Sequence, residues 1–130
     1  MRENPVSQRA QFELSKLGVV SMRNNVGVAF DTTGRAIRYG LMNESSKVND
    51  EFKSSDLICI TPVLIGPQHV GRIMGIFTAL ETKKTDWHLT KGDKRGQAQL
   101  RFMQLVRGHG GIADFISDPA QIRNLIGIYQ

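Results

Sequence analysis

Near the start of the chain, Val6, Ala10, Leu14 and Leu17 recur at helical spacing with polar residues between them. That period predicts a first helix from Glu3 to Leu17, with Pro5 in its first turn and Gly18 as its stop. VVSMR and VGVAF then read as short extended segments around Asn24 and Asn25, and Asp31 to Gly34 (DTTG) is a turn signal, so a hairpin or strand pair is expected there. From Leu41 to Lys53 the residues show no period, which predicts a loop. SDLICITPVLI and RIMGIFTALETK are two β-rich runs joined by the turn-like GPQHVG, and their simplest arrangement is a neighbouring antiparallel pair. After the polar segment from Lys84 to Gly96, the apolar positions Leu100, Met103, Leu105 and Val106 predict a helix from Gln97 to Gly108, closed by Gly110 and Gly111. GIADFIS reads as a final strand and DPAQIRNLIGI as a final helix, with Asp118 as its N-cap and Pro119 at its first position.

This order of helix, strands, helix, strand and helix predicts an α/β or α+β fold in which a mixed sheet carries packed helices. With 130 residues, 40% hydrophobic and 22% charged, the chain is expected to form one domain over residues 1–130 with a real core. Its longest apolar stretches are broken by Pro62 and fall short of the roughly 20 residues that cross a bilayer. The N-terminal MRENPVSQRAQ carries charge where a secretory signal needs an apolar core, so no membrane span and a cytoplasmic location are expected. Cys59, the single cysteine, lies in the apolar LICI and is expected to be a small core residue. Lys and Arg number 17 against 12 Asp and Glu, a net charge of +5. Such an excess favours polyanion partners, nucleic acid first, although many basic domains use it only for solubility.

The candidate chemistry begins with acids at the ends of the two β-rich runs. Asp56 opens SDLICI and Glu81 lies near the end of FTALETK, so an antiparallel pairing of those strands brings the carboxylates together. Hard divalent cations such as Mg²⁺ take oxygen ligands, often one or two carboxylates completed by water and phosphate. Lys83 follows Glu81 by two positions and shares its strand face, where an ammonium group can orient water or offset charge on a phosphate. Taken alone, Glu-x-Lys is common, and a turn-capping Asp with a Glu-x-Lys pair on a solvated face is the ordinary structural reading.

A wider pattern distinguishes the two. SSDLICITPVLI, VGRIMGIFTALETKK and GQAQLRFMQLVRGHGGIADFIS together resemble the VRR-Nuc family of PD-(D/E)XK nucleases. The resemblance rests on Asp56 before one strand, Glu81, Thr82 and Lys83 ending the next, and a following helix with Gln99, Phe102, Gly110 and Gly111. It extends upstream to Glu3, Gly18, Arg23, Asn24, Asn25 and Gly27, so its elements span most of the chain. It implies a single-domain restriction-endonuclease-like fold and hydrolysis of DNA phosphodiester bonds by water. It also implies Mg²⁺ or Mn²⁺ held by Asp56, Glu81 and the backbone carbonyl of Thr82. Glu3 joins the metal site by the same analogy, with Glu13 as a rival, and Gln99 positions water, the lysine or a phosphate, with Gln97 as its rival. Small stand-alone members resemble Holliday-junction resolvases of phage and bacteria and act as homodimers, so the resemblance implies branched DNA as substrate and a bacterial or phage-infected cell as setting.

Arg23, Asn24 and Asn25 are candidates for phosphate contact or for turn residues. The segment after Glu-x-Lys is longer than the family's usual turn and carries Lys84, Trp87, His88, Lys91, Lys94 and Arg95. Such a loop can clamp a backbone or stack on an unpaired base, or it can be a solvated loop with Trp87 packed inward. His69, His88 and His109 lie far apart and offer no zinc spacing. A non-catalytic nucleic-acid-binding module with the same fold is the alternative; it predicts a broken set of site residues, whereas Asp56, Glu81, Lys83 and Gln99 are all present.

Overall fold

A computed structural model describes residues 5–130, so Glu3 lies outside the described residues. The chain divides into two compact units, Met1–Thr61 and Pro62–Gln130, and both combine helices with short sheets, as expected of the α/β class.

The first unit begins with α1 (Pro5–Lys16). The helix stops at Gly18, whose φ of 75° is left-handed and suits glycine, while the Val19 amide donates to the Leu14 carbonyl at 3.0 Å. Next, β1 (Val20–Arg23) pairs antiparallel with β4 (Leu57–Ile60), so that Val20 faces Ile60 and Arg23 faces Leu57. Between them, β2 (Gly27–Phe30) and β3 (Ala36–Tyr39) form a hairpin closed by the DTTG turn. There the Asp31 carboxylate accepts from the Thr33 amide and hydroxyl and from the Arg35 amide. These bonds, first the Thr33 hydroxyl and then the Arg35 amide, hold the Asp31 carboxyl below its ordinary value of 3.8. The segment expected as a loop contains a short helix, α2 (Ser46–Glu51), started by the Ser45 hydroxyl accepting from the Val48 amide at 3.2 Å.

The second unit is built on a β-α-β crossover. Its strands β5 (Thr78–Thr82) and β6 (Ile112–Ile116) run parallel, with Thr78 facing Ile112 and Thr82 facing Ile116. Parallel neighbours need a long connection, and α3 (Lys94–Gly108) supplies it. Met103 and Val106 on α3 are buried with Ile112, Ala113 and Ile116 of β6, and Val106 is fully enclosed. Burying each such α3 side chain is worth roughly 1.5–3 kcal/mol. The Gly110–Gly111 pair makes the exit from α3 into β6. Gly110 has a φ of 84°, and a Cβ on Gly111 would meet the Phe77 carbonyl at 2.8 Å. The last helix, α4 (Ala120–Ile126), starts one residue later than Pro119, yet the Asp118 carboxylate still accepts from the Ala120 amide at 2.9 Å.

Two expectations need correction. The mixed sheet resolves into three two-stranded sheets, and β4 and β5 take β1 and β6 as their partners rather than each other. The cause lies in the connecting run: Pro62 and Pro67 lack the amide protons a ladder needs, and Gly71 turns with a φ of 83°. Only the outer ends of the two β-rich runs are strands, and Leu64, Ile65, Val70 and Ile73 between them are exposed.

Candidate active site

In the second unit, β5 and α3 enclose a cleft of about 530 Å³. Glu81 lines it from the strand, and Arg95, Gln99 and Phe102 line it from the helix over an apolar floor that includes Leu80, Ala98 and Met103. The spacing on α3 explains the grouping, because residues three and four apart share a helix face: Arg95, Gln99 and Phe102 fall on one stripe, with Met103 beside it. The start of α3 is set by the Asp93 carboxylate, which accepts from the Gly96 amide at 2.8 Å. Its first turn contains Lys94 and Arg95 and no acid, the opposite of what the helix dipole favours.

Gln99 and Gln97 are told apart by their bonds. The Gln97 amide donates to the Thr90 carbonyl at 3.0 Å and ties down the loop before α3. Gln99 faces the cleft, and its Oε1 is buried without a hydrogen-bond partner. An unmet acceptor costs about 1–3 kcal/mol, so such a group marks a place where a donor or a cation is wanted.

Lys83 continues the β5 ladder past its last residue, its amide donating to the Ile116 carbonyl at 2.8 Å. The side chain lies over aromatic rings, with Nζ 4.9 Å from the Trp87 centroid and 5.7 Å from that of Phe115. Those rings pack together at 4.6 Å with a tilt of 44°, so Trp87 is turned onto β6. Phe115 carried no signal in the sequence because its neighbours depend on which strand pairs with β5.

The remaining candidates fall elsewhere. Asp56 belongs to the first unit, exposed just ahead of β4, with its carbonyl accepting from the Asn24 amide at 2.8 Å. The Asn24 side chain is spent on the chain itself: it donates to the Ser54 hydroxyl at 2.7 Å and the Ser55 carbonyl at 2.9 Å, and accepts from the Leu41 amide at 3.1 Å. Arg23 closes β1, and Asn25 is exposed beside it. Glu13 pairs with Lys16 at 3.0 Å on α1. Thr82, Lys84, Lys91, Lys94 and Arg95 are exposed. His69 accepts from the Gly66 amide and His109 bonds the Leu105 carbonyl, both local uses of the ring.

Among the described residues, no group of three or more His, Cys, Asp and Glu side chains forms a metal cage. The cleft is lined instead by two oxygen-bearing side chains, Glu81 and Gln99, the latter with its carbonyl oxygen buried and unpaired. That set fits Mg²⁺ or Mn²⁺, whose shells are often completed by water and phosphate, better than zinc. Among the described residues, no helix is long and apolar enough to cross a membrane. The chain matches no protein-family model, no curated protein and no solved structure.

Proposed function

We propose that the protein is a Mg²⁺- or Mn²⁺-dependent nuclease that hydrolyses DNA phosphodiester bonds. The observation that carries this reading is a cleft lined by both Glu81 and Gln99, the latter with a buried carbonyl oxygen that has no hydrogen-bond partner. Glu81 holds the metal, together with the Thr82 carbonyl, and Asp56 is the second carboxylate assigned by resemblance. A bound ion would supply a polarised water and offset charge on the phosphate. Gln99 orients the water or a phosphate oxygen through its amide. Lys83 contributes a fixed positive charge toward the phosphate.

The exposed cations at and before the start of α3, Lys91, Lys94 and Arg95, supply phosphate contacts with Lys84; on the first unit Arg23 and Asn25 are separate candidates, and Asn24 is reserved for the chain's own turn. The net charge of +5 supports a polyanionic substrate. Branched DNA such as a four-way junction, cut by a homodimer with two symmetry-related sites, is the substrate class the resemblance favours.

The test is a panel of labelled linear, flapped and four-way DNA incubated with and without Mg²⁺ or Mn²⁺, alongside a measurement of solution mass. Metal-dependent cutting that is lost in Asp56→Asn and Lys83→Ala, with binding retained, supports the assignment. Cutting that persists in both variants sinks it. Binding without cutting by the wild-type protein makes it a non-catalytic binding module.

A further inference from the structure

We infer that Trp87, together with Phe115, is a positioning residue that holds the Lys83 ammonium in one place at the end of β5. This rests on the nuclease reading for its catalytic consequence, but the holding itself is a property of the second unit alone.

A lysine at the end of a short strand has four rotatable side-chain bonds and roughly 2 kcal/mol of rotamer entropy to lose before it serves as a fixed charge. In most sites a carboxylate does the holding, and it takes up the ammonium's donors as it does so. Here, among the described residues, the Lys83 side chain has no ion-pair or hydrogen-bond partner; its contacts are the faces of two rings. A cation over an aromatic face is attracted by the ring quadrupole, most strongly by Trp, while its N–H groups stay available. The charge is held and its donors are unspent, which is what a group meant for a phosphate oxygen requires.

The local chain makes this arrangement. Residues 83–87 form a tight turn in which Asp86 takes a left-handed φ of 62° and the Trp87 amide donates back to the Thr85 carbonyl at 2.6 Å. Asp tolerates that conformation better than most residues. The turn reverses the chain directly after Lys83 and lays the indole against Phe115 of the parallel neighbour, at 4.6 Å between centroids. Phe115 stands opposite Glu81 in the register, so one strand pair fixes both the carboxylate and the ring beneath the lysine.

Two readouts test the inference. The first needs no activity: in the proton–carbon spectrum of the lysine ε-methylene groups, Lys83, assigned by its loss in Lys83→Met, is expected to lie upfield of the other lysines through the ring currents. That displacement is expected to vanish in Trp87→Leu and to survive largely in Trp87→Phe. The second is single-turnover cleavage of whichever panel substrate the wild type cuts. Trp87→Leu is expected to lower the rate on the order of 10- to 100-fold with half-saturating DNA concentration unchanged, and Trp87→Phe to restore most of it. If Trp87→Leu fails to fold, Trp87→Phe and Phe115→Leu give the same comparison in graded form. A Lys83 signal that lies with the other lysines, or Trp87→Leu cutting at the wild-type rate while Lys83→Met does not cut, overturns the inference. A displaced Lys83 signal in a wild-type protein that cuts nothing removes the catalytic role, and it locates the failure in the nuclease reading rather than in the contact.

Discussion

The two units of the chain are held by different forces. In the second, five apolar residues are buried, Met103 and Val106 on α3 and Ile112, Ala113 and Ile116 on β6. In the first, among the described residues, the buried apolar ones are Val19 and Ile60, and the remaining buried side chain is an amide, Asn43, which is 3% exposed. Asn43 donates to the Gly27 and Tyr39 carbonyls at 2.8 and 2.9 Å and accepts from Arg38 at 2.7 Å, and Asn24 does similar work between β1 and the segment before β4. Non-directional burial supports a rigid platform for a cleft, whereas directional amide bonds fix the path of loops. Glu81 and Gln99, on which the proposed chemistry leans, lie on the unit with the apolar core.

That contrast is open to attack from either side. Met103→Ala is expected to destabilise the protein by about 2–5 kcal/mol, read as the shift of the urea midpoint, because it truncates a side chain that is only 3% exposed. A loss below about 1 kcal/mol would deny the second unit its apolar core. Asn43→Ala is expected to cost about 1–3 kcal/mol, since it strands the Gly27 and Tyr39 carbonyls and the Arg38 guanidinium together. Asn43→Leu should be no milder, which distinguishes lost hydrogen bonds from lost volume. Asn24→Ala, at a half-buried site, is expected to cost about 0.5–1.5 kcal/mol.

The smallest effect concerns pH. Because hydrogen bonds lower the Asp31 carboxyl below 3.8, its contribution to the hairpin is complete above that value and is lost as the pH falls through the lowered one. A carbon-detected titration of Asp31 should therefore show a depressed midpoint that Thr33→Ala moves back toward 3.8. A midpoint at 3.8 in the wild type would remove the turn from the account.

The first, third and fourth helices were legible in the sequence because periodicity and capping residues report on one element at a time, whereas the short α2, inside a segment without a period, was not. Even so, α3 begins at Lys94 rather than Gln97, since its polar first turn is organised by the Asp93 carboxylate and carries no apolar repeat. Strand pairing was less legible. Local pattern marks β4 and β5 but holds no information on their partners, and Pro62, Pro67 and Gly71 redirect the chain between them. The antiparallel pairing expected to bring Asp56 beside Glu81 is therefore absent, and that geometric argument for a shared metal site goes with it. Gln99 and Phe102, named from the wider pattern, line one cleft with the strand-end acid Glu81, and the grouping on α3 was legible because the helix repeat is short-range. Phe115 and the inward turn of Trp87 were not legible, as both depend on β6 lying parallel to β5.

The most direct measurement is the single-turnover rate of metal-dependent DNA cleavage by the wild type and by Glu81→Gln, which keeps the shape of the side chain and removes its charge. The proposed site predicts a wild-type rate that requires Mg²⁺ or Mn²⁺ and a loss on the order of 10²–10³-fold in the variant, with DNA binding retained. Cleavage by Glu81→Gln at the wild-type rate would contradict it.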